Sequence, residues 1–142
     1  MRYWIGFIAV LIVGAAAFLA YQARQKAKSR NASRLQLDLA IAQLTMELRR
    51  NPKNAAGYGK RGIVRQRNGD LPGALADFER ALALDPNLTE AHYHHGAALE
   101  QKGDLAAAEK EFNWILDVSR DAYYGTAAKN RLDQMHGKKK SG

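Results

Sequence analysis

The chain has 142 residues, 25% of them charged, and carries a formal net charge of +8 with no cysteine. The missing cysteines exclude disulfides, thiolate metal sites and a cysteine nucleophile. The charge is not spread evenly. Six Lys/Arg and no acid fall in residues 1–34, three lysines in Lys138–Lys140, and residues 35–137 balance 13 basic against 14 acidic side chains. A nucleic-acid footprint would be a basic face on the folded part; here the excess lies in the flanks, and no nucleic-acid partner is expected.

The first element is the uncharged run YWIGFIAVLIVGAAAFLAYQ, Tyr3 to Gln22. Trp4 to Tyr21 is 18 residues, about 27 Å of helix at roughly 1.5 Å per residue. With Tyr3, Trp4 and Tyr21 at its ends, residues 1–22 read as a transmembrane anchor, with the bilayer contact over residues 3–22. A basic juxtamembrane segment follows over residues 23–34, with Arg24, Lys26, Lys28, Arg30 and Arg34 as a membrane-surface cluster. By the positive-inside rule the expectation is a single-pass protein with its domain in the cytoplasm, and the Ala- and Leu-rich composition points to a bacterial inner membrane rather than a mitochondrial outer membrane. The rival readings are a domain on the periplasmic side and a cleavable signal peptide. In the signal-peptide reading Arg2 is the n-region, Ile5 to Val13 the apolar stretch and Ala15-Ala16-Ala17 the cleavage site.

Arg34 to Arg50 is the next helix, with apolar Leu35, Leu39, Ile41, Leu44 and Leu48. Ser33 and Gln36 fit a capping box, and Asn51-Pro52 ends the run. The stretch GDLPGALADFERALALDPN, Gly69 to Asn87, then finds an echo at Gly103. One constant offset takes Gly62 to Gly96, Gly69-Asp70-Leu71 to Gly103-Asp104-Leu105, Ala74 to Ala108, and Phe78 to Phe112. The resulting 34-residue period of paired helices has a physical logic. Gly62 and Gly96 allow two helices to cross closely, Asp70 and Asp104 cap the second helix, Gly69 and Gly103 suit a left-handed helix end, and Pro86 stops the run.

This pattern resembles the tetratricopeptide repeat (TPR) family. The first copy, residues 55–88, places Tyr58, Gly62, Ala74, Phe78, Ala81 and Pro86 on the family's positions; the second, residues 89–122, places His92, Gly96, Leu99, Ala108, Phe112 and Ile115. Counting back one period from Pro86 and Ala74 reaches Pro52 and Ala40, so residues 35–54 form a degenerate half repeat. Residues 123–136 form a capping helix, with Tyr124, Ala127, Ala128, Leu132 and Met135 on its buried face, and residues 137–142 a basic disordered tail. The fold class is therefore all-α: a transmembrane helix followed by a short TPR solenoid of two full repeats, a half repeat and a cap.

The resemblance implies a concave groove lined by the first helices, gripping a partner's peptide or helix. Its candidates are Gly59, Ile63, Gln66 and Arg67, then Tyr93, Ala97, Gln101 and Lys102, then Ala127 and Arg131. Chaperone-binding members clamp a C-terminal carboxylate with Lys and Asn side chains; Gly59, Ile63 and His94 stand at three of those positions, so chaperone-tail binding is not expected. The run His92 to His95 holds two imidazoles three positions apart, a zinc-compatible spacing. No third ligand stands at a known spacing, so it reads as packing. Arg61 and Arg65 depart from the family's apolar choices and read as intramolecular ion pairs rather than a docking site for an acidic partner. No enzyme constellation, cofactor motif, metal site or small-molecule substrate is expected. The functional expectation is a membrane-tethered adaptor or assembly factor. Its alternatives are an exported cofactor of envelope or cytochrome biogenesis and a constitutive small subunit of a membrane complex.

Overall fold

The computed structural model describes residues 2–140, and side chains over residues 14–137. Six helices follow in order: α1 (Arg2–Arg50), α2 (Ala55–Arg67), α3 (Leu71–Leu84), α4 (Thr89–Lys102), α5 (Leu105–Val118) and α6 (Ala122–Lys140). The chain divides into two compact units, Met1–Gln36 and Leu37–Gly142.

In the first unit the sequence expectation needs correction. Among the described residues, no helix is long and apolar enough to cross a membrane. The expected belt residues Tyr3 and Trp4, and the apolar run as far as Val13, lie outside the residues whose side chains are described. What is described of the apolar run, Gly14 to Tyr21, is eight residues, all exposed, and Arg24 follows closely. The transmembrane anchor over residues 1–22, the bilayer contact over residues 3–22 and the single-pass inner-membrane placement are overturned together. Arg24, Lys26, Lys28, Arg30 and Arg34 are exposed positions on α1. Ser33 does not cap a new helix either: it lies inside α1 and donates from Oγ to the Ser29 carbonyl, 3.1 Å away.

The second unit is built of helical hairpins. In the first, α2 and α3 are joined by Asn68-Gly69-Asp70. Gly69 takes the left-handed conformation (φ +88°), and Asp70 accepts from the Gly73 amide to cap α3. In the second, α4 and α5 repeat the device with Gly103 (φ +93°) and Asp104, which accepts from the Ala107 amide. The crossing glycines are enforced by the phenylalanines. A Cβ on Gly62 would stand 2.6 Å from Phe78 Cε1, and one on Gly96 2.9 Å from Phe112 Cε1. Phe78 and Phe112 are fully buried, each contributing about 2–3 kcal/mol by area removed from water.

Two apolar clusters result. Ala74, Phe78 and Ala98 pack with Ile63, Leu71 and Leu75, which joins the first hairpin to α4. Leu99, Ala108, Phe112 and Ile115 pack with Ala128, Leu132 and Met135, which seats α6 on the second hairpin. The C-terminal part of α1 packs against α2: Leu48 is buried, its Cδ2 3.0 Å from where a Cβ on Gly57 would stand. Helix α6 continues to Lys140, so the segment expected as a disordered tail from residue 137 is helical through Lys140.

Candidate functional site

Helix α4 touches both α2 and α6, so the first helices of successive hairpins lie side by side. Between them is a concavity of about 240 Å³ lined by Gln66 from α2, Ala97, Glu100 and Gln101 from α4, and Arg131 from α6. Gln66 Nε2 donates to Gln101 Oε1 at 3.1 Å. Arg131 Nη1 donates to Glu100 Oε2 at 3.0 Å. The Tyr93 hydroxyl and the Glu100 carboxylate beside that guanidinium hold its pKa above the ordinary arginine value, against the cost of burial.

Of the sequence candidates, Gln66, Ala97, Gln101 and Arg131 thus share one lining. Tyr93 is half-buried in the same row, tilted against Phe112 and Tyr124 with ring centroids 5.9 and 5.5 Å away. Ala127 is half-buried and Arg67 exposed. Ile63 is committed to the Phe78 cluster. Gly59 is buried near Leu88 and has no side chain to offer. Lys102 lies elsewhere: it lines a separate concavity of about 330 Å³ with Leu71, Pro72, Leu75, Ala76 and Glu79.

Glu100 is the lining residue that the sequence reading leaves out, and Lys102 is the one it includes that faces another concavity. The signal was present in the period: one repeat beyond Gln66 stands Glu100, not Lys102. His94 lies near the same row, stacked on Phe78 at 6.2 Å. Burial pushes its pKa down, with Arg67 adding to the shift and Glu90 opposing it. The Tyr124 phenol is pushed up to about 12 by burial and by the Glu90 carboxylate nearby.

The histidine run is occupied by a carboxylate. Glu111 on α5 meets His92 Nδ1 with Oε2 at 2.6 Å and His95 Nδ1 with Oε1 at 2.9 Å. Burial raises the Glu111 pKa, but the hydrogen bonds from His92 and His95 outweigh it and hold the carboxyl at about 2. His92 Nε2 also lies 2.9 Å from the Pro86 carbonyl, and its ring stacks on Trp114 with centroids 3.6 Å apart. His92 thus has an oxygen within hydrogen-bond distance of each ring nitrogen. His95 Nε2 is buried with no hydrogen-bond partner. Among the described residues, no group of three or more His, Cys, Asp or Glu is placed to hold a metal ion.

Arg61 and Arg65 converge on Asp77, which is 3% exposed. Arg61 Nη2 reaches Oδ1 at 2.6 Å, Arg65 Nη1 reaches Oδ2 at 2.9 Å, and Arg61 Nη1 also donates to Thr45 Oγ1 at 3.1 Å. These arginines are spent inside the fold, tying α1, α2 and α3 together, rather than offered to a partner.

Helical hairpins on a 34-residue period, with first helices aligned beside a concavity, define a TPR-like architecture. Residues 67–103 match the family model described as TPR repeat. A TPR and J domain-containing co-chaperone of Cryptococcus neoformans is 32% identical over 72 residues, 51% of this chain and 14% of its own length. The Hsp70-Hsp90 organizing protein of Triticum aestivum is 36% identical over 58 residues, 41% of this chain and 10% of its own length. The chain therefore spans about a tenth to a seventh of these curated relatives. Among solved structures, the first TPR of Spaghetti (RPAP3) bound to the HSP90 peptide SRMEEVD superposes with a TM-score of 0.67. It is 24% identical, covering 75% of this chain and 82% of that one. The TPR2B domain of yeast Sti1 in complex with pHsp70 gives a TM-score of 0.61 at 22% identity, covering 75% and 84%.

Proposed function

We propose that the Leu37–Gly142 unit is a protein-interaction module that holds an extended peptide segment of a partner between α2, α4 and α6. The observation that carries this reading is the shared lining of Gln66, Ala97, Glu100, Gln101 and Arg131, drawn from three helices. Carboxamides can pair with the N–H and C=O groups of an extended backbone. Tyr93 supplies apolar area with few rotatable bonds, an economical contact for binding. The fold-level likeness to domains solved with HSP90 and Hsp70 peptides supports the mode of binding and not the ligand. The module acts by binding and carries no catalytic step, metal or cofactor in this reading.

Peptide selection on the full chain by phage display tests it. Peptides enriched on the native chain are expected to bind with micromolar Kd and to lose about tenfold or more when Ala97→Trp fills the groove or Gln101→Ala removes its carboxamide. Thermal melts verify that both variants fold. Undiminished binding to Ala97→Trp overturns the reading.

A further inference from the structure

The charges of the groove cancel. Arg131 is met by Glu100 at 3.0 Å, and the Glu100 side chain is the more buried partner, 16% exposed against 39%. Arg67 and Glu90 act with opposite sign on His94. Ala97 and the Gln66–Gln101 bridge complete the lining that Glu100 and Arg131 share. That bridge uses one amide hydrogen of Gln66 and one oxygen of Gln101. Gln66 Oε1 and Gln101 Nε2 keep an acceptor and a donor for a ligand's backbone.

We propose that Glu100 masks Arg131, so that the groove takes an extended peptide segment without net charge and rejects an acidic one. The inference rests on the peptide-groove reading above. An incoming carboxylate meets an Arg131 guanidinium whose charge Glu100 already balances, and takes Nη1 only by displacing Glu100. That leaves a largely buried carboxylate unpaired and sets two negative groups side by side, a repulsive element against the wrong ligand. The equivalent position of the preceding repeat is the neutral Gln66. Glu100→Gln is thus a change the architecture already accommodates once.

The acidic peptide SRMEEVD serves as the probe, with a neutral counterpart, acetylated and amidated at its ends, in which its Glu and Arg become Gln and its Asp becomes Asn. Binding to the full chain is read by fluorescence anisotropy at low ionic strength, where charge effects are least screened. The native chain is expected to bind SRMEEVD at least about tenfold more weakly than Glu100→Gln. The gain should vanish in Glu100→Gln/Arg131→Ala, and Glu100→Gln should shift the ratio of affinities for SRMEEVD over its neutral counterpart by about tenfold or more toward SRMEEVD. No gain in Glu100→Gln overturns the masking, as does native binding of SRMEEVD as tight as the variant's. In that second case a loss on Ala97→Trp would still uphold the peptide groove. If no selected peptide is sensitive to Ala97→Trp, the groove reading itself has failed.

Discussion

Asp77 is the residue on which the first hairpin is most exposed to damage. It is buried beneath two guanidinium groups. Asp77→Ala strands Arg61 and Arg65 without their shared carboxylate, and is expected to cost about 3–5 kcal/mol in urea unfolding. Gly62 fails for a different reason. A methyl there would be 2.6 Å from the Phe78 ring, whose fully buried side chain has nowhere to withdraw. Gly62→Ala is expected to lose about 1–3 kcal/mol by overpacking, although alanine is the better helix former. A gain in stability in that melt would show that the close crossing is not what holds the hairpin. Gly62, Gly69 and Asp70 were all legible in the sequence, because each answers a local demand of geometry. Asp77 was not, since its role depends on which cations the fold brings over it from another helix.

At the scale of elements, the second hairpin repeats that buried acid in a form that responds to pH. Moving Arg61 and Asp77 forward by one repeat gives His95 and Glu111, which are likewise in contact. The Glu111 carboxyl is held at about 2, well below its ordinary 4.5. Its contribution is therefore complete above about pH 4.5 and is lost as the pH falls toward 2. The integrated effect is roughly 3 kcal/mol. The native chain is expected to lose stability across that window in acid unfolding, and Glu111→Gln to show a flatter profile there with lower stability at pH 6. An unchanged acid limb in the variant would mean that Glu111 is not the group being titrated. The hairpins themselves were readable from the period, as was the packing role of His92 and His95, but their shared carboxylate was not. The helix boundary expected at Ser33 failed because a capping-box sequence caps only where the preceding backbone leaves the helix, and α1 is already helical there.

For the molecule as a whole, the aligned first helices were implied by the repeat, and four of the ten groove candidates came together in one lining. The remainder separates by cause. Ile63 and Gly59 sit on the groove-facing helices but are absorbed by packing. Lys102 breaks the register of the repeat and follows α3 instead. Glu100, which obeys the register, brings the carboxylate that neutralises Arg131. The anchor was read from an apolar run, and only Gly14 to Tyr21 of it falls among residues with described side chains. A partner peptide lying along α2, α4 and α6 is seen most directly in a two-dimensional amide NMR titration of the full chain with a selected peptide. A peptide in the groove should concentrate shifts at Gln66, Tyr93, Ala97, Gln101 and Arg131, with little change at Leu71, Ala76 and Glu79. Shifts confined to the Leu71, Ala76 and Glu79 face, with the groove amides unmoved, would contradict that placement.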